Sequence, residues 1–258
     1  MARITFLMYH ELELAGRKLC QSEPGYVRYI LPLEIFRSQM EWLKHSGVRG
    51  LSVGEALRFP TEPSVCITFD DGCETDWIAA APMLREFGFH ATFYLTAGFL
   101  GTPGYLSAEQ VRGLDAQGFE IGCHSMTHTY LSDLPETGLK REIVDAKAKI
   151  EQILEHAIEH FSCPGGRYNQ RALAMARSAG FKTVANSEFH ANDSSTSTFE
   201  LGRVAMLRDL SIAQFSAICQ GRGLWKKRLQ HETRRSVQRV LGNRAYDRLR
   251  AILLRESP

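Results

Sequence analysis

The sequence predicts an α/β fold, with parallel strands joined by helical crossovers into either a barrel or a doubly wound sheet. Two observations carry this. Strand-like and helix-like segments alternate along most of the chain, and four clusters of charged and small residues fall where apolar strands run out. The composition agrees: 44% hydrophobic and 23% charged over 258 residues suits a globular protein with a sizeable core. No apolar run approaches the roughly 20 residues that span a bilayer.

Each element has its own signal. Ile4–Met8 is a short apolar strand. Leu33, Phe36, Met40 and Leu43 recur at helical spacing, and that helix stops at Gly47. Val65–Phe69 is the next strand, followed by a helix that closes at Gly88. "HATFYLT" is a strand; "SAEQVRGLDAQG" opens on a capping Ser107 followed by Glu109 and is a helix; "FEIGCH" is a strand. A long amphipathic helix over 135–156 leads to the strand "HFSCP". The helix "NQRALAMARSAG", the strand "FKTVAN", the polar loop "NDSSTST" and the helix "SIAQFSAICQG" complete the series.

In folds of this kind chemistry collects at the C-terminal ends of the strands. Here those ends carry "YHE", "DDG", "HSMTH" and "PGGRYN". Asp70 and Asp71 stand together at the end of a buried strand. They read either as an acidic turn before a helix or as a metal ligand beside a proton acceptor. His124 and His128, four residues apart, point the same way if they lie on a helical turn, close enough to share a divalent cation. With one aspartate they offer two nitrogens and one oxygen, leaving a position open for water or substrate. A weaker rival is "HAIEH", in which His156, Glu159 and His160 match the H-x-x-E-H pattern of inverted zinc peptidases. His156 lies beside the helix's apolar face rather than in it, so two surface histidines at a helix end are the plainer expectation.

"TFDDG", "HSMTH" and "FSCPGGRYN", in this order and spacing, resemble the metal-dependent polysaccharide deacetylases, the NodB-like carbohydrate esterases. "LMYHEL", "LPLEIFRSQMEWLKHSGV", "LSVGEAL" and "FHATFYLTAGFLG" resemble that family's framework, so the likeness covers about residues 3–220. It implies an irregular (β/α) barrel of about seven parallel strands over residues 1–221, followed by a basic helical extension over 222–258. It also implies roles. Asp71, His124 and His128 would hold one divalent metal, zinc first among the candidates. Asp70 would be the base that takes a proton from the attacking water. Pro164 and Gly165 would supply an oxyanion-binding backbone N–H, with Tyr168 along the glycan groove.

Two departures from the family pattern matter. No arginine precedes Pro164, where many members place one against the base aspartate, and Arg167 lies on the other side of the proline. The late leucine-x-histidine motif is missing as well: Leu207-Arg208-Asp209 stand there instead. His10, at the end of the first strand, takes over as general acid in this reading, because the first and last strands of a barrel are neighbours. The expected activity is removal of N-acetyl or N-formyl groups from an amino-sugar glycan or a lipid-linked sugar. A non-catalytic carbohydrate-binding relative is the alternative, since both departures would suit a decayed site. Trp77 is expected to pack its own helix, and Asn192-Asp193 to be either a substrate contact or a solvated turn.

The net charge of +2 hides an asymmetry. Residues 222–258 hold eleven Lys/Arg against three Asp/Glu, while the rest holds 20 against 26. Apolar residues at helical spacing among those arginines predict a docked hairpin that also faces a membrane surface or an anionic lipid-linked sugar. Nucleic acid is not an expected partner, because the body is acidic and carries no recognised module. Cysteines 20, 66, 73, 123, 163 and 219 are scattered singly, and "MARITFLMYHELE" reads as a strand rather than a signal peptide. The expected setting is therefore a reducing cytoplasm, at or near the inner face of the membrane.

Overall fold

The computed structural model describes residues 3–58 and 63–223. The expected basic extension over 222–258 lies outside the described residues from 224 onward. Seven strands form the barrel wall: β1 (Thr5–Tyr9), β2 (Ser64–Phe69), β3 (Thr92–Leu95), β4 (Glu120–Cys123), β5 (His160–Ser162), β6 (Thr183–Ala185) and β7 (Val204–Ala205). All pair in parallel, in the order β7-β1-β2-β3-β4-β5-β6. The two edges of this path meet: Ala185 bridges in parallel to Leu201, and three residues later β7 pairs with β1 at Leu7 and Met8. The expected barrel of about seven strands is the observed fold. Its irregularity sits at β2, whose first half pairs with an extra strand, Arg49–Leu51, so that β3 meets only Thr68 and Phe69.

The period of two along each strand sorts the side chains. Leu7, Val65, Ile67, Phe93, Ile121 and Phe161 face outward into the large core between sheet and helices. Their alternates face the lumen, where Phe6, Cys66, Tyr94 and Ala185 form a second, smaller cluster. The helices seal the outer layer. Phe36, Met40 and Leu43 are the buried stripe of Leu33–His45. Ser107 does cap the helix Ala108–Ala116, but its reciprocal partner is Gln110, three residues on, rather than Glu109. Trp77 packs on that same helix, where a Cβ at Gly113 would lie 2.6 Å from the indole.

The floor of the lumen is polar and satisfied. Glu120 accepts from Thr92 Oγ1 and the Gly54 N–H, and its carboxylate lies 3.2 Å from His160 Nε2. His160 is thus buried inside the barrel, with Nδ1 against Thr183, which corrects the expectation of a surface histidine. His156 stays on the surface beside Asp115. The two belong to different environments and cannot share a metal, so the peptidase alternative fails on geometry. Among the described residues no helix is long and apolar enough to cross a membrane.

Gly122 faces a crowded part of the lumen. A Cβ there would lie 2.5 Å from the Tyr94 ring and 2.9 Å from the backbone carbonyl of His160. Gly122→Ala is expected to lower the unfolding free energy by about 1–3 kcal/mol, read from the urea midpoint at unchanged slope.

Candidate metal centre and active site

Alternation delivers Asp70 to the lumen. Thr68 and Asp70 share the inward face of β2, and the Asp70 N–H still donates to Tyr9 O across the ladder. There the carboxylate meets Arg203, which precedes β7. Arg203 Nη1 donates to Asp70 Oδ1 and Nη2 to Oδ2, each at 2.7 Å. The guanidinium also donates to Thr68 Oγ1, Ser162 Oγ and the Asn186 carbonyl, so all five of its N–H groups are used. Arg203 is fully buried, and Asp70 is 2% exposed. Burial on its own would raise the Asp70 carboxyl, but Arg203 and then His124 outweigh it and hold the group well below the usual carboxylate range. Asp70 is a carboxylate at any physiological pH.

Asp71 would face outward if β2 simply continued. Its φ of 79° turns the backbone into the left-handed region, and Gly72 follows at 77°, which aims the second carboxylate back over the barrel mouth. Oδ2 accepts from Tyr26 Oη at 2.8 Å. Oδ1 is buried and has no hydrogen-bond partner. It faces His128 Nε2 at 3.4 Å and His124 Nε2 at 3.7 Å, and the three ligand atoms lie within 4.8 Å of one another. An orphaned carboxylate oxygen with two converging imidazole nitrogens fits a divalent cation of the zinc type. Burial lowers the His124 pKa to about 4, against the opposing pull of Asp70, so the ring is neutral, as a ligand must be. Its Nδ1–H donates to the Ser162 carbonyl at 2.9 Å, leaving the Nε2 lone pair aimed at Asp71.

The "HSMTH" stretch is a loop and not the expected helical turn. Ser125 and His128 have φ of 69° and 59°, and the rings end up 5.0 Å apart. Glu142 holds the loop: its carboxylate accepts from the backbone N–H of Met126 and Thr127 and from Thr127 Oγ1. Glu142 reaches inward from a π-helical turn, Arg141–Asp145, within the long helix, a local widening often found near functional sites. Asp71, Ser125 and His128 are three of the four non-glycine residues with positive φ among those described. Backbone strain of about 1–3 kcal/mol per residue is thus concentrated at this centre.

His10 lies at the end of β1, half-buried between Tyr26 and Tyr29. Burial lowers its pKa, and the charges of Asp71 and Asp70 act in the opposite direction. Its Nδ1 is buried without a partner. At the third motif, Pro164, Gly165 and Gly166 form a tight turn in which both glycines have positive φ. A Cβ at Gly165 would lie 2.8 Å from the Tyr130 ring, and one at Gly166 would strike the Ser187 backbone N. Arg167 stacks on Tyr130 at 3.9 Å and not on Asp70. Tyr168 donates to Glu200, beside this turn. Asn192 is structural: it exchanges backbone hydrogen bonds with Ile4 and side-chain bonds with Gly202.

The fold therefore joins Asp70, Asp71, His10, His124 and His128 at one mouth, with Arg203, Tyr26 and Ser162 added. Arg203 had a sequence signal: it is a charge flanked by "LG" and "VAM" in an otherwise apolar segment, and such a charge must find a buried partner. Tyr26 had none, because a loop residue's reach across the mouth leaves no pattern.

Residues 58–184, which carry Asp70, Asp71, His124, His128 and Gly165, match the polysaccharide deacetylase family model. The Bacillus subtilis protein YxkH is 28% identical over 222 residues, covering 84% of this chain and 76% of that protein. A peptidoglycan-N-acetylglucosamine deacetylase of Bacillus cereus is 31% identical over 124 residues, 48% of this chain, and the match spans 56% of the relative's length. Among solved structures, the deacetylase PplD of Streptococcus pyogenes superposes with a TM-score of 0.73 at 22% identity, covering 84% of this chain and 98% of that one. The match to the polysaccharide deacetylase family model thus runs through the strands bearing both aspartates and both histidines, on a barrel shared with solved deacetylases.

Proposed function

We propose that the protein is a metal-dependent hydrolase that removes N-acetyl groups from an amino-sugar glycan, with zinc as the metal. One observation carries the reading: the two adjacent aspartates are in opposite electrostatic situations. Asp70 has both oxygens bound by Arg203, whereas Asp71 presents a bare, buried oxygen to two imidazoles. A divalent cation held by Asp71, His124 and His128 would acidify the attacking water and polarise the amide carbonyl.

The chain's own groups do the rest. Asp70 Oδ2, 3.7 Å from His124 Nε2, stands beside the centre and accepts the proton of the attacking water. Arg203 keeps that carboxylate ionised and fixed in orientation. The Gly165 N–H donates to the developing oxyanion. His10 gives a proton to the departing sugar nitrogen; its lowered pKa makes the charged form a stronger acid and a smaller fraction of the total at neutral pH. The lack of an arginine before Pro164 would suit a decayed binding protein, but Arg203 meets the base aspartate from another strand and removes that argument. Several relatives named for peptidoglycan or chitooligosaccharide deacetylation support an N-acetylglucosamine-type substrate.

Acetate release from N-acetylated oligosaccharides and lipid-linked sugars is expected to require metal and to stop with chelator. Asp71→Ala should lose the zinc held at Asp71, His124 and His128 together with turnover, and chelator-insensitive release would sink the proposal. Arg203 governs the acid limb of the pH profile. Without its charge, burial raises the Asp70 pKa, so Arg203→Met should move that limb to higher pH, while Arg203→Lys moves it less. His10→Ala should lower kcat by a factor on the order of 100 or more with zinc still bound, as measured by elemental analysis; unchanged kcat rules out the general-acid role.

A further inference from the structure

A second group of side chains in the described residues also has metal-ligating spacing: Glu11, Cys20 and Cys73, whose ligand atoms lie within 4.8 Å of one another. The cysteine spacing in sequence gave no hint of this, since 52 residues separate the two thiols. Glu11 is 1% exposed and Cys73 fully buried; Cys20 is half-buried on the loop that follows Glu11. The position of Cys20 is fixed. Its N–H donates to both Glu11 carboxylate oxygens at 3.0 Å, and its Sγ lies 3.1 Å from the Gly104 carbonyl. Gly104 has φ of 92°, and a Cβ there would sit 2.9 Å from that sulfur, so the loop leaves room for the thiol.

Asp76 supplies an independent observation. It is fully buried, and neither carboxylate oxygen has a hydrogen-bond partner. It begins the helical turn after Cys73, to whose carbonyl its N–H donates. Burial first, then the neighbouring Asp71, Cys20 and Glu11, push its carboxyl well above the usual range. Arg17, a neighbouring cation, is engaged at 2.7 Å by Glu74 and acts on Glu11 as a nearby charge. Two buried carboxyls and two thiols thus face one another, and the Asp76 oxygens stay buried without a partner, an arrangement that is costly unless something binds there.

We propose that Glu11, Cys20 and Cys73, with Asp76 beside them, form a second metal site that takes a zinc-type divalent cation. Two sulfurs and one carboxylate oxygen are a zinc-type donor set, with a fourth position for Asp76 or water. Binding displaces the two thiol protons to solvent. The site would tie together three segments that also build the catalytic mouth: the end of β1 next to His10, the 17–20 loop, and the turn two residues after Asp71.

The test uses the full chain, reduced, stripped of metal and titrated with Co²⁺. Thiolate-to-cobalt charge-transfer absorption is expected in the wild type and in Asp71→Asn, and should vanish in Cys20→Ser. Zinc content should fall from two equivalents per chain to one in Cys20→Ser and in Glu11→Gln, with folding verified by circular dichroism. Absence of the charge-transfer band from folded wild type, or zinc content unchanged by Cys20→Ser, overturns the assignment. So does a Cys20–Cys73 disulfide found in place of metal in protein purified with zinc present. Because the readouts are optical and analytical, failure here leaves the acetate-release test of the first centre untouched.

Discussion

The buried pair Arg203–Asp70 is the interaction on which the upper half of the barrel depends. A guanidinium with no exposure carries a large desolvation cost, and only full satisfaction of its donors offsets it. Here the five N–H groups reach Thr68 and Asp70 on or after β2, Ser162 on β5 and Asn186 after β6, from a residue that enters β7. Strands distant in sequence are thereby fixed around one cation, with the Tyr94 ring beneath it at 5.2 Å. Removing one partner of such a pair costs about 3–5 kcal/mol, so Asp70 is a structural residue. The short bonds at the point of barrel closure explain why a two-residue strand suffices as β7.

With Asp70 neutralised in this way, its neighbour is free for another task. Successive residues on a strand face opposite sides, so two adjacent aspartates would ordinarily diverge. The left-handed backbone at Asp71 makes them converge on one mouth at the cost of local strain. Strain recurs at Ser125 and His128, where Glu142 clamps the loop amides. The cluster of Asp71, His124 and His128 is thus assembled by forced backbone geometry rather than by the helical repeat that the H-x-x-x-H spacing suggests.

That difference marks what was legible in the sequence. Strand and helix order, the parallel sheet, the strand-end clusters and the identities of Asp70, Asp71, His124 and His128 follow from local periodicity and motif spacing, which are properties of neighbouring residues. Arg203, Tyr26 and the burial of His160 are consequences of closure, which brings Arg203 to Asp70 133 positions away and Tyr26 to Asp71 45 positions away. An arginine inside an apolar segment was a visible anomaly, but its partner could not be read without knowing that β7 lies beside β1. Arg167, close in sequence to the motif, proved to be engaged with Tyr130.

One end of this barrel gathers Asp70, Asp71, Glu11 and Asp76, each 2% exposed or less, around a single buried arginine. Arg203 cancels the charge of Asp70 and of nothing else at close range. The Asp71 carboxyl is held low by the imidazoles of His128, His10 and His124 despite its burial, so it stays charged and lacks a full counterion. Unfolded, all four carboxyls would be hydrated; folded, Asp71 keeps its charge without a full counterion, while burial pushes Asp76, whose oxygens have no hydrogen-bond partner, toward its neutral acid. A cation that binds the native state alone therefore contributes its binding free energy to folding. In the proposed reading, metal affinity and stability are two measures of the same imbalance.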